Sequence, residues 1–233
     1  MPAYFVTGTD TDAGKTLVAS GLLALARRHG LTTLGLKPVA SGSEATRAGL
    51  RNADALALQA QCRPAVTYEA VNPAAFAPAI APHLAARRAG TEVSLTELTP
   101  WARELLAARR DLTLVEGAGG WRVPLNDRED LTGLAVRLDL PVLLVVGLRL
   151  GCISHARLTS EAIRADGLRL AGWVGSLVDP AFAADEALYR DNLATLAAAL
   201  PAPCLGVIPR LPAGTPAAMA EAAADHLELP DAD

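Results

Sequence analysis

The sequence predicts an α/β fold, a doubly wound, mostly parallel sheet with helices on both faces. Strand patterns and helix patterns alternate along most of the 233 residues. Several strand patterns are continuous apolar runs, such as PVLLVV at 141–146, and such runs suit strands that are buried on both faces of a parallel sheet. A glycine-rich stretch, GTDTDAGKT at 8–16, separates the first strand pattern from the first helix pattern.

The alternation assigns six strands and six helices. The predicted strands lie at 3–7, 33–37, 112–116, 142–146, 170–178 and 205–208, and the predicted helices lie at 15–29, 52–61, 95–109, 130–138, 155–166 and 185–200. Gly30, Gly167 and Pro201 follow three of these helices, as expected because glycine and proline commonly end a helix. Ligands in such folds bind beyond the carboxyl ends of the strands, so the residues that follow each strand are the candidates for function.

Two segments depart from the alternation. Residues 63–83 contain four prolines and are predicted to form a long ordered loop, either as surface decoration or as a flap over the site. The alanine-rich tail at 212–233 is expected to form a short helix at 217–227 and a loose end. We otherwise expect one domain over residues 1–233, since the chain is long enough for one sizeable core.

Composition narrows the class of protein. Hydrophobic residues make up 51% and charged residues 20%, which is typical of a globular protein. A net charge of −4 without a basic block argues against a nucleic-acid partner. No apolar run approaches the roughly 20 residues that span a bilayer, and the chain starts directly with a strand pattern rather than a signal peptide. Three scattered cysteines fit reduced thiols, so we expect a cytoplasmic protein without a membrane partner.

The stretch at 8–16 has the strand–loop–helix context of a phosphate-binding loop, which makes the predicted fold P-loop NTPase-like. Backbone N–H groups at a helix start have no intrahelical partner, and the helix dipole adds partial positive charge there, so phosphates bind well. Lys15 is placed to contact the outer phosphates and Thr16 to ligate Mg²⁺. The alternative is a glycine-rich turn that binds nothing.

The loop departs from the usual G-x-x-x-x-G-K-[ST] pattern. Five residues separate Gly8 from Gly14, and Thr9 stands where the first glycine is expected. Asp10 and Asp12 are unusual beside an anion.

Carboxylates are candidates for the other metal ligands, because Mg²⁺ prefers hard oxygen donors. Glu116 ends a predicted buried strand and Asp54 lies near the start of a predicted helix. Together with Thr16 they form the expected Mg²⁺ site. The alternatives are that Glu116 caps the glycine turn that follows it and that Asp54 only complements the helix dipole.

Lys37 ends the second predicted strand, after the residues LGL, on the ligand side of the sheet. Charge is costly in such a position unless an anion meets it, so Lys37 and Lys15 are predicted to flank one transferring phosphoryl group. A surface lysine is the alternative. Ser41, in the following loop, is a candidate to bind a polar substrate or an ordinary turn residue.

Two further stretches follow strands. The small residues Gly117, Ala118, Gly119 and Gly120 allow close approach of the backbone to a ligand. Trp121 is expected to supply an apolar wall. GCIS at 151–154 opens a predicted helix, so it is either a second anion site or a helix start capped by Ser154. The four histidines are isolated, show no metal spacing and are interpreted as structural.

Seven motifs together resemble the dethiobiotin synthetase family, in the order in which that family carries them. They are YFVTGTDTDAGKT at 4–16, LKPVASGSE at 36–44, GLRNADALALQ at 49–59, VNP at 71–73, VEGAGGW at 115–121, LPVLLVVGLRLGCISHA at 140–156 and LAGWV at 170–174. The resemblance covers most of the chain, and GTDTDAGKT with KPVASG is far more specific than a phosphate loop alone.

The resemblance implies an ATP- and Mg²⁺-dependent ligase of biotin synthesis. Its substrates would be 7,8-diaminopelargonic acid and CO₂ (or bicarbonate), which form a carbamate. ATP would convert the carbamate to a carbamic-phosphoric anhydride, and the second amine would close the ring. The family is a homodimer with the substrate near the subunit interface, so GCIS would serve the neighbouring subunit.

Site residues follow from the resemblance by position. Lys37, Lys15 and Thr11 would be catalytic, and Thr16, Asp54 and Glu116 would surround the metal. The substrate would contact Thr11, Ser41, Gly151, Cys152, Ile153 and Ser154. With the resemblance, we hypothesise that Asp10, Thr11 and Asp12 face the cationic diamine and its carbamate, while the glycine–lysine half of the loop holds ATP. The nucleotide would contact Asp12, Ala13, Gly14, Lys15, Thr16, Leu17, Asp54, Glu116, Gly117, Ala118, Gly119, Ser176, Pro209, Arg210 and Leu211.

Four positions depart from the family pattern. Asp12 stands where some relatives have Glu, and Ser154 stands where Asn is familiar. Ser176 and Leu177 replace an Asn-Asp pair that would read adenine. A serine lacks the paired donor and acceptor of an amide, so we predict weak discrimination between nucleoside triphosphates.

Three other kinds of protein are alternatives. The synthetase half of a cobyrinic acid amidotransferase shares the loop style, but the chain has no room for a glutaminase domain. A partitioning-type ATPase switch binds partners rather than making a product, but that family usually places a lysine early in the loop, and 8–13 contains none. A non-catalytic nucleotide-binding module would not explain Lys37 with KPVASG.

Overall fold

A computed structural model of the chain describes residues 3–231. The described residues form ten strands: β1 (Ala3–Gly8), β2 (Thr33–Leu36), β3 (Val39–Ala40), β4 (Glu44–Thr46), β5 (Gly49–Arg51), β6 (Ala74–Ala75), β7 (Leu112–Glu116), β8 (Val142–Leu148), β9 (Leu170–Leu177) and β10 (Cys204–Ile208). They also form nine α-helices: α1 (Lys15–Arg28), α2 (Ala53–Ala60), α3 (Tyr68–Val71), α4 (Pro82–Arg88), α5 (Leu95–Leu106), α6 (Thr132–Arg137), α7 (Cys152–Ala165), α8 (Glu186–Ala199) and α9 (Pro216–Ala224).

The main sheet has six strands in the order β10-β9-β8-β1-β7-β2. Every pairing between neighbours in it is parallel, which confirms the predicted fold class. All residues of β7 and β8 are buried. Because successive side chains of a strand point to opposite faces, both faces of the sheet are covered at these strands. The strand order reverses beside β1, so the loop after β1 lies at the switch point where ligands bind in open α/β sheets.

The start of α7 differs from the prediction. This helix begins at Cys152 rather than at residue 155, and Gly151 is its N-cap with a φ of 94°. Ser154 lies inside the first turn and is exposed, so the interpretation of Ser154 as the N-cap is wrong. A left-handed glycine begins this helix without a side-chain cap, as Gly14 does at the start of α1.

Residues 63–83 are not the long loop that we predicted. They contain α3, the short strand β6 and the first residues of α4, and β6 pairs with β3 in parallel. Backbone bonds join this segment to the chain after β2: Lys37 N donates to Val71 O at 2.8 Å, and Phe76 N donates to Ala40 O at 2.8 Å. The segment is therefore folded against the second predicted ligand-side loop.

The C-terminal helix α9 packs against α1. Ala220, Ala223 and Ala224 are buried, and a Cβ built on Gly21 of α1 would lie 2.8 Å from the Cβ of Ala223. Beyond α9, the hydroxyl of Tyr4 donates to Asp231 O at 2.8 Å. The tail that we expected to be loose is therefore held as far as Asp231, and residues 232–233 lie outside the described part.

Two of the expectations drawn from composition concern the cysteines and membrane-spanning helices. Cys62, Cys152 and Cys204 are all free thiols. Within residues 3–231, no helix combines the length and the apolar character needed to cross a membrane.

Candidate active site

A cavity of about 930 Å³ opens at the carboxyl ends of β1, β2 and β7. Its walls come from the phosphate loop, the chain after β2, the start of α2 and the glycine turn after β7. Twelve of the predicted site residues line it, namely Thr11, Asp12, Gly14, Lys15, Thr16, Leu17, Lys37, Ser41, Asp54, Glu116, Ala118 and Gly119. Residues from four separate parts of the sequence thus meet in one cavity.

The phosphate loop has two left-handed residues, Asp12 with φ 58° and Gly14 with φ 92°. Aspartate is among the non-glycine residues that tolerate this conformation best, which gives a backbone reason for Asp at position 12. A Cβ at Gly14 would collide with the hydroxyl of Ser176. Ser176 therefore lies directly against the loop, although it does not line the cavity.

The residues that make the loop unusual hold it to the neighbouring strand. The hydroxyl of Thr9 accepts a bond from Gly147 N at 3.2 Å. Asp10 Oδ1 accepts from Thr11 N at 2.8 Å, and Asp10 Oδ2 pairs with Arg149 at 2.5 Å. The carboxylate of Asp10 thus binds Arg149, contrary to our hypothesis that it faces a cationic substrate.

Lys37 is the centre of a buried charge cluster. Its Nζ lies 2.6 Å from Glu116 Oε1 and 3.3 Å from Asp54 Oδ2, and it donates to Gly117 O at 3.0 Å. Lys37 is 4% exposed and Glu116 is 0% exposed, which excludes a surface lysine. Burial alone would lower the pKa of Lys37, but Glu116 and Asp54 raise it above its ordinary value. Lys37 is therefore an ammonium at neutral pH.

Lys15 is a second buried lysine in the same cavity. Its Nζ donates to the backbone carbonyl of Asp10 at 2.9 Å. Burial and then the nearby charge of Lys37 lower the pKa of Lys15, against the smaller opposing effects of three carboxylates. An anion placed between the two lysines would favour their charged forms, because opposite charge raises the pKa of an amine.

Glu116 and Thr16 have the chemistry of a magnesium site. Thr16 Oγ1 donates to Glu116 Oε1 at 2.8 Å, while Glu116 Oε2 is buried and has no hydrogen-bond partner. A buried carboxylate oxygen without a partner is unusual and points to a missing ligand atom. Asp54 adds a half-buried carboxylate from the first turn of α2. These three hard oxygen donors fit Mg²⁺, which also keeps water and phosphate ligands.

The donor set has few carboxylates. No group of three or more His, Cys, Asp or Glu residues among the described residues is arranged to hold a metal, so bound phosphate and water would have to complete the coordination. The described hydrogen bonds to the Glu116 side chain come from Thr16 and Lys37 rather than from the glycine turn. Asp54 lies in the first turn of α2 but also contacts Lys37, so its two interpretations are compatible.

Several predicted residues lie outside the cavity. Ala13 and Gly117 are buried beneath its wall, and the stretch from Gly151 to Ser154 lies at the start of α7, away from it. Ile208 pairs with Ser176, so Pro209, Arg210 and Leu211 follow at the edge of the sheet where Ser176 lies. Trp121 is buried against Phe5 and donates to Asp166 at 2.8 Å, so the prediction of an apolar wall was wrong.

Sequence reasoning missed three parts of the wall. Asn52, residues 79–82 and residues 122–124 all line the cavity. The prolines between 63 and 83 were the available signal for the second part, since a flap over the site was one of the two interpretations of that segment. Residues 79–82 do form one wall, which favours that interpretation.

The sheet topology and the loop geometry define a P-loop NTPase-like α/β protein. A family model described as "AAA domain" matches residues 2–218. The MinD cell division protein of Aquifex aeolicus shares the fold, with TM-scores of 0.59 for its complex with MinC and 0.56 for MinD alone, at 16% and 14% identity. These alignments cover 96% and 95% of this chain and 86% of each of those chains.

Curated relatives identify the family within that class. The ATP-dependent dethiobiotin synthetase BioD of Chromohalobacter salexigens is 71% identical over 99% of both chains. The enzyme of the same name from Pseudomonas aeruginosa is 64% identical over 98% of this chain and 97% of its own, and that of Xanthomonas campestris is 48% identical over 99% of both. The chain belongs to the dethiobiotin synthetase family.

The buried pair of Lys37 and Glu116 can be tested by stability. Lys37→Met and Glu116→Gln each remove one partner, and we expect each to lower the free energy of unfolding by about 3 kcal/mol, because an unpaired buried charge is costly. The double variant carries neither charge and should be more stable than either single variant. Urea unfolding of the four proteins measures this, and additive losses in the double variant would contradict the pairing.

Proposed function

We propose that this chain makes dethiobiotin from 7,8-diaminopelargonic acid, CO₂ and ATP with Mg²⁺. The observation that carries the proposal is the convergence of Lys15 and Lys37 with the oxygen donors of Thr16, Glu116 and Asp54 in one cavity. Phosphoryl transfer depends mainly on positioning and on stabilisation of negative charge, and this arrangement supplies both. The family relationship supplies the substrate.

The reaction proposed has three steps. One amine of the diamine adds to CO₂ and loses a proton, which gives a carbamate. The γ-phosphoryl group of ATP passes to a carbamate oxygen, releasing ADP and leaving a carbamic-phosphoric anhydride. The second amine attacks the carbonyl carbon, the bond to phosphate breaks, and the cyclic urea forms with loss of a proton.

Each side chain has a defined part in this scheme. Lys37 exchanges its contact with Asp54 for the carbamate and the γ-phosphate, and Lys15 binds the outer phosphates from the loop side. Thr11 and Ser41, which both line the cavity, bind the carbamate and the diamine. Mg²⁺, held by Thr16, Glu116 and Asp54, would neutralise charge on the phosphates. Lys37 is suited to its part because its raised pKa keeps it cationic.

The nucleotide is proposed to bind along the phosphate loop from Asp12 to Leu17 and against Gly117, Ala118 and Gly119. Its base would then lie over the sheet edge formed by Ser176 and by the residues from Pro209 to Leu211. The contact between Ser176 and Gly14 supports this path, because it joins the phosphate loop to that edge.

We further propose a cytoplasmic homodimer in which the start of α7 binds the substrate carboxylate of the neighbouring subunit. Gly151, Cys152, Ile153 and Ser154 lie outside their own cavity. Close to them, Leu150 is 83% exposed and Leu158, on the same helix, is 61% exposed. Exposed leucines beside a helix start fit an interface that carries an anion site.

A partitioning-type ATPase switch is the alternative class that the phosphate-binding loop left open, and the chain shares a fold with the MinD cell division protein. Identities of 16% and 14% support a shared fold alone. The position of Lys37 favours the synthetase, since a switch that only hydrolyses ATP has no carbamate for this lysine to bind.

Phosphate release should depend on the diamine. With ATP, Mg²⁺ and bicarbonate, we expect release to rise at least about a hundredfold when 7,8-diaminopelargonic acid is added, as measured by a coupled phosphate assay. Lys37→Ala should abolish this release while nucleotide still binds, as followed by calorimetry. Release that is indifferent to the diamine would refute the synthetase and favour the switch.

Discrimination between nucleotides should be weak. A site that reads a base through paired hydrogen bonds can reject the wrong one by roughly 10⁴-fold, whereas a serine hydroxyl makes one adaptable bond. We expect kcat/KM for ATP, CTP and GTP to agree within about tenfold, and Ser176→Ala to change their ratios little. A strong preference for ATP would contradict this interpretation of Ser176.

The interface can be tested with a charge on α7. Leu158→Asp should convert the dimer to a monomer, as measured by analytical ultracentrifugation, because burying a carboxylate against a partner is costly. It should also raise the KM for the diamine without weakening nucleotide binding. Val136→Asp is the matched control, since Val136 on α6 is 45% exposed. A Leu158→Asp protein that stays dimeric would place the interface elsewhere.

A further inference from the structure

Three buried polar residues beside the cavity are joined by hydrogen bonds into a continuous chain, in which one link is a backbone N–H. The hydroxyl of Tyr68 donates to Asn72 Oδ1 at 2.9 Å and accepts from the backbone N of Asn52 at 2.8 Å. Tyr68, Asn72 and Asn52 are 6%, 4% and 5% exposed. Tyr68 and Asn72 come from the segment at 63–83, and Asn52 precedes α2, so the chain joins two separate parts of the sequence.

Each end of this chain holds a residue of the proposed reaction. Asn72 Nδ2 donates to the backbone carbonyl of Lys37 at 2.7 Å. Asn52 Nδ2 donates to the backbone carbonyl of Ser41 at 3.1 Å. Asn52 Oδ1 accepts from Asp54 N at 3.0 Å, which fixes the first turn of α2.

Each of the three side chains both donates and accepts or is bonded at both of its polar atoms within the protein. The Tyr68 hydroxyl uses both its donor and one acceptor, and each of the two amides uses both its oxygen and its nitrogen. Such buried and satisfied networks are rigid, because no member can rotate without leaving another unpaired. The guanidinium of Arg51 lies 4.2 Å from the centre of the Tyr68 ring, which restrains the ring from the other side.

We propose that Tyr68, Asn72 and Asn52 are positioning residues of the reaction: together they set the distances between Lys37, Ser41 and Asp54. This inference rests on the roles proposed above for those three residues. It also gives α3 a function, because this short helix carries Tyr68 and presents Asn72 at its end. A misplacement of about 1 Å in such a site can cost up to roughly a hundredfold in rate.

The two ends of the chain should affect different kinetic constants. Asn72 acts through Lys37, which the proposal places at the transferring phosphoryl group, so its loss should lower kcat. Asn52 acts through Ser41, which the proposal places on the diamine, so its loss should raise the KM for the diamine. A merely structural role would not divide kcat from KM in this way.

The central experiment uses Tyr68→Phe, which removes one hydroxyl and breaks both links at once. We expect kcat to fall about tenfold and the KM for the diamine to rise several-fold, with the Kd for nucleotide within twofold. Tyr4→Phe is the matched control, because it also removes a buried tyrosine hydroxyl that donates a hydrogen bond, in this case to the backbone carbonyl of Asp231. Both variants should lower Tm by a similar few degrees, roughly 2–4 °C, but Tyr4→Phe should keep its kinetic constants.

Two further variants separate the ends. Asn52→Ser keeps an oxygen that caps α2 but is too short to bridge to Ser41, so it should raise the KM for the diamine with kcat nearly unchanged. Asn72→Ser should lower kcat with that KM nearly unchanged. If Asn72→Ser does not fold, Asn52→Ser and Tyr68→Phe still decide the question.

The outcomes separate this inference from the proposed function. If the wild-type protein releases phosphate with the diamine and Lys37→Ala is inactive, but Tyr68→Phe keeps kcat and KM within twofold, the positioning role is refuted and the function stands. If Tyr4→Phe loses as much activity as Tyr68→Phe, the role is also refuted, since general destabilisation then explains both. A wild-type protein without diamine-dependent release refutes the function itself.

Discussion

The buried ion pair of Lys37 and Glu116 is the interaction on which the site depends. Glu116 ends a fully buried strand of the main sheet, and Lys37 follows the neighbouring strand, so the topology forces both charges into the interior. Neither would be tolerated there alone. Their contact allows a cation and an anion to lie together in the protein interior, where each acts more strongly on a ligand than it would in water.

Side chains from two helix starts contact this ion pair. Thr16 reaches Glu116 from the start of α1, and Asp54 reaches Lys37 from the start of α2. Two helix starts and two strand ends thus meet at one pair of atoms. The backbone of Lys37 is in turn held by Asn72, so the same lysine joins the charge cluster to the polar chain behind it.

Much of this arrangement could be predicted from local patterns. The continuous apolar runs of β1, β7 and β8 predict strands that are buried on both faces, and these strands are buried. Ligands bind beyond the carboxyl ends of parallel strands, and this rule placed Lys37 and Glu116 correctly at one cavity. The contacts that were missed involve partners far apart in sequence. The sequence around Asp10 does not show that its carboxylate pairs with Arg149. In the same way, the sequence around Trp121 does not show that its indole N–H donates to Asp166.

The predictions for the start of α7 and for the proline-rich segment at 63–83 failed for different reasons. Ser154 has the chemistry of an N-cap, but the left-handed conformation of Gly151 begins the helix three residues earlier, and a sequence pattern does not report backbone dihedral angles. The segment at 63–83 gains its structure from pairing with the chain after β2. A helix of four residues and a strand of two have too little periodicity to be recognised without that partner.

The packing of α9 on α1 changes how the end of the chain is regarded. Helix α1 begins with Lys15 and Thr16, and Gly21 lies on it roughly 9 Å farther along, in contact with Ala223. The alanine-rich tail therefore supports the helix that follows the phosphate loop. Removing the residues from 216 onward would leave the Gly21 face of α1 uncovered. Because α1 begins with Lys15 and Thr16, such a truncation, although far from the cavity, would disturb the two residues proposed to bind the phosphates and Mg²⁺.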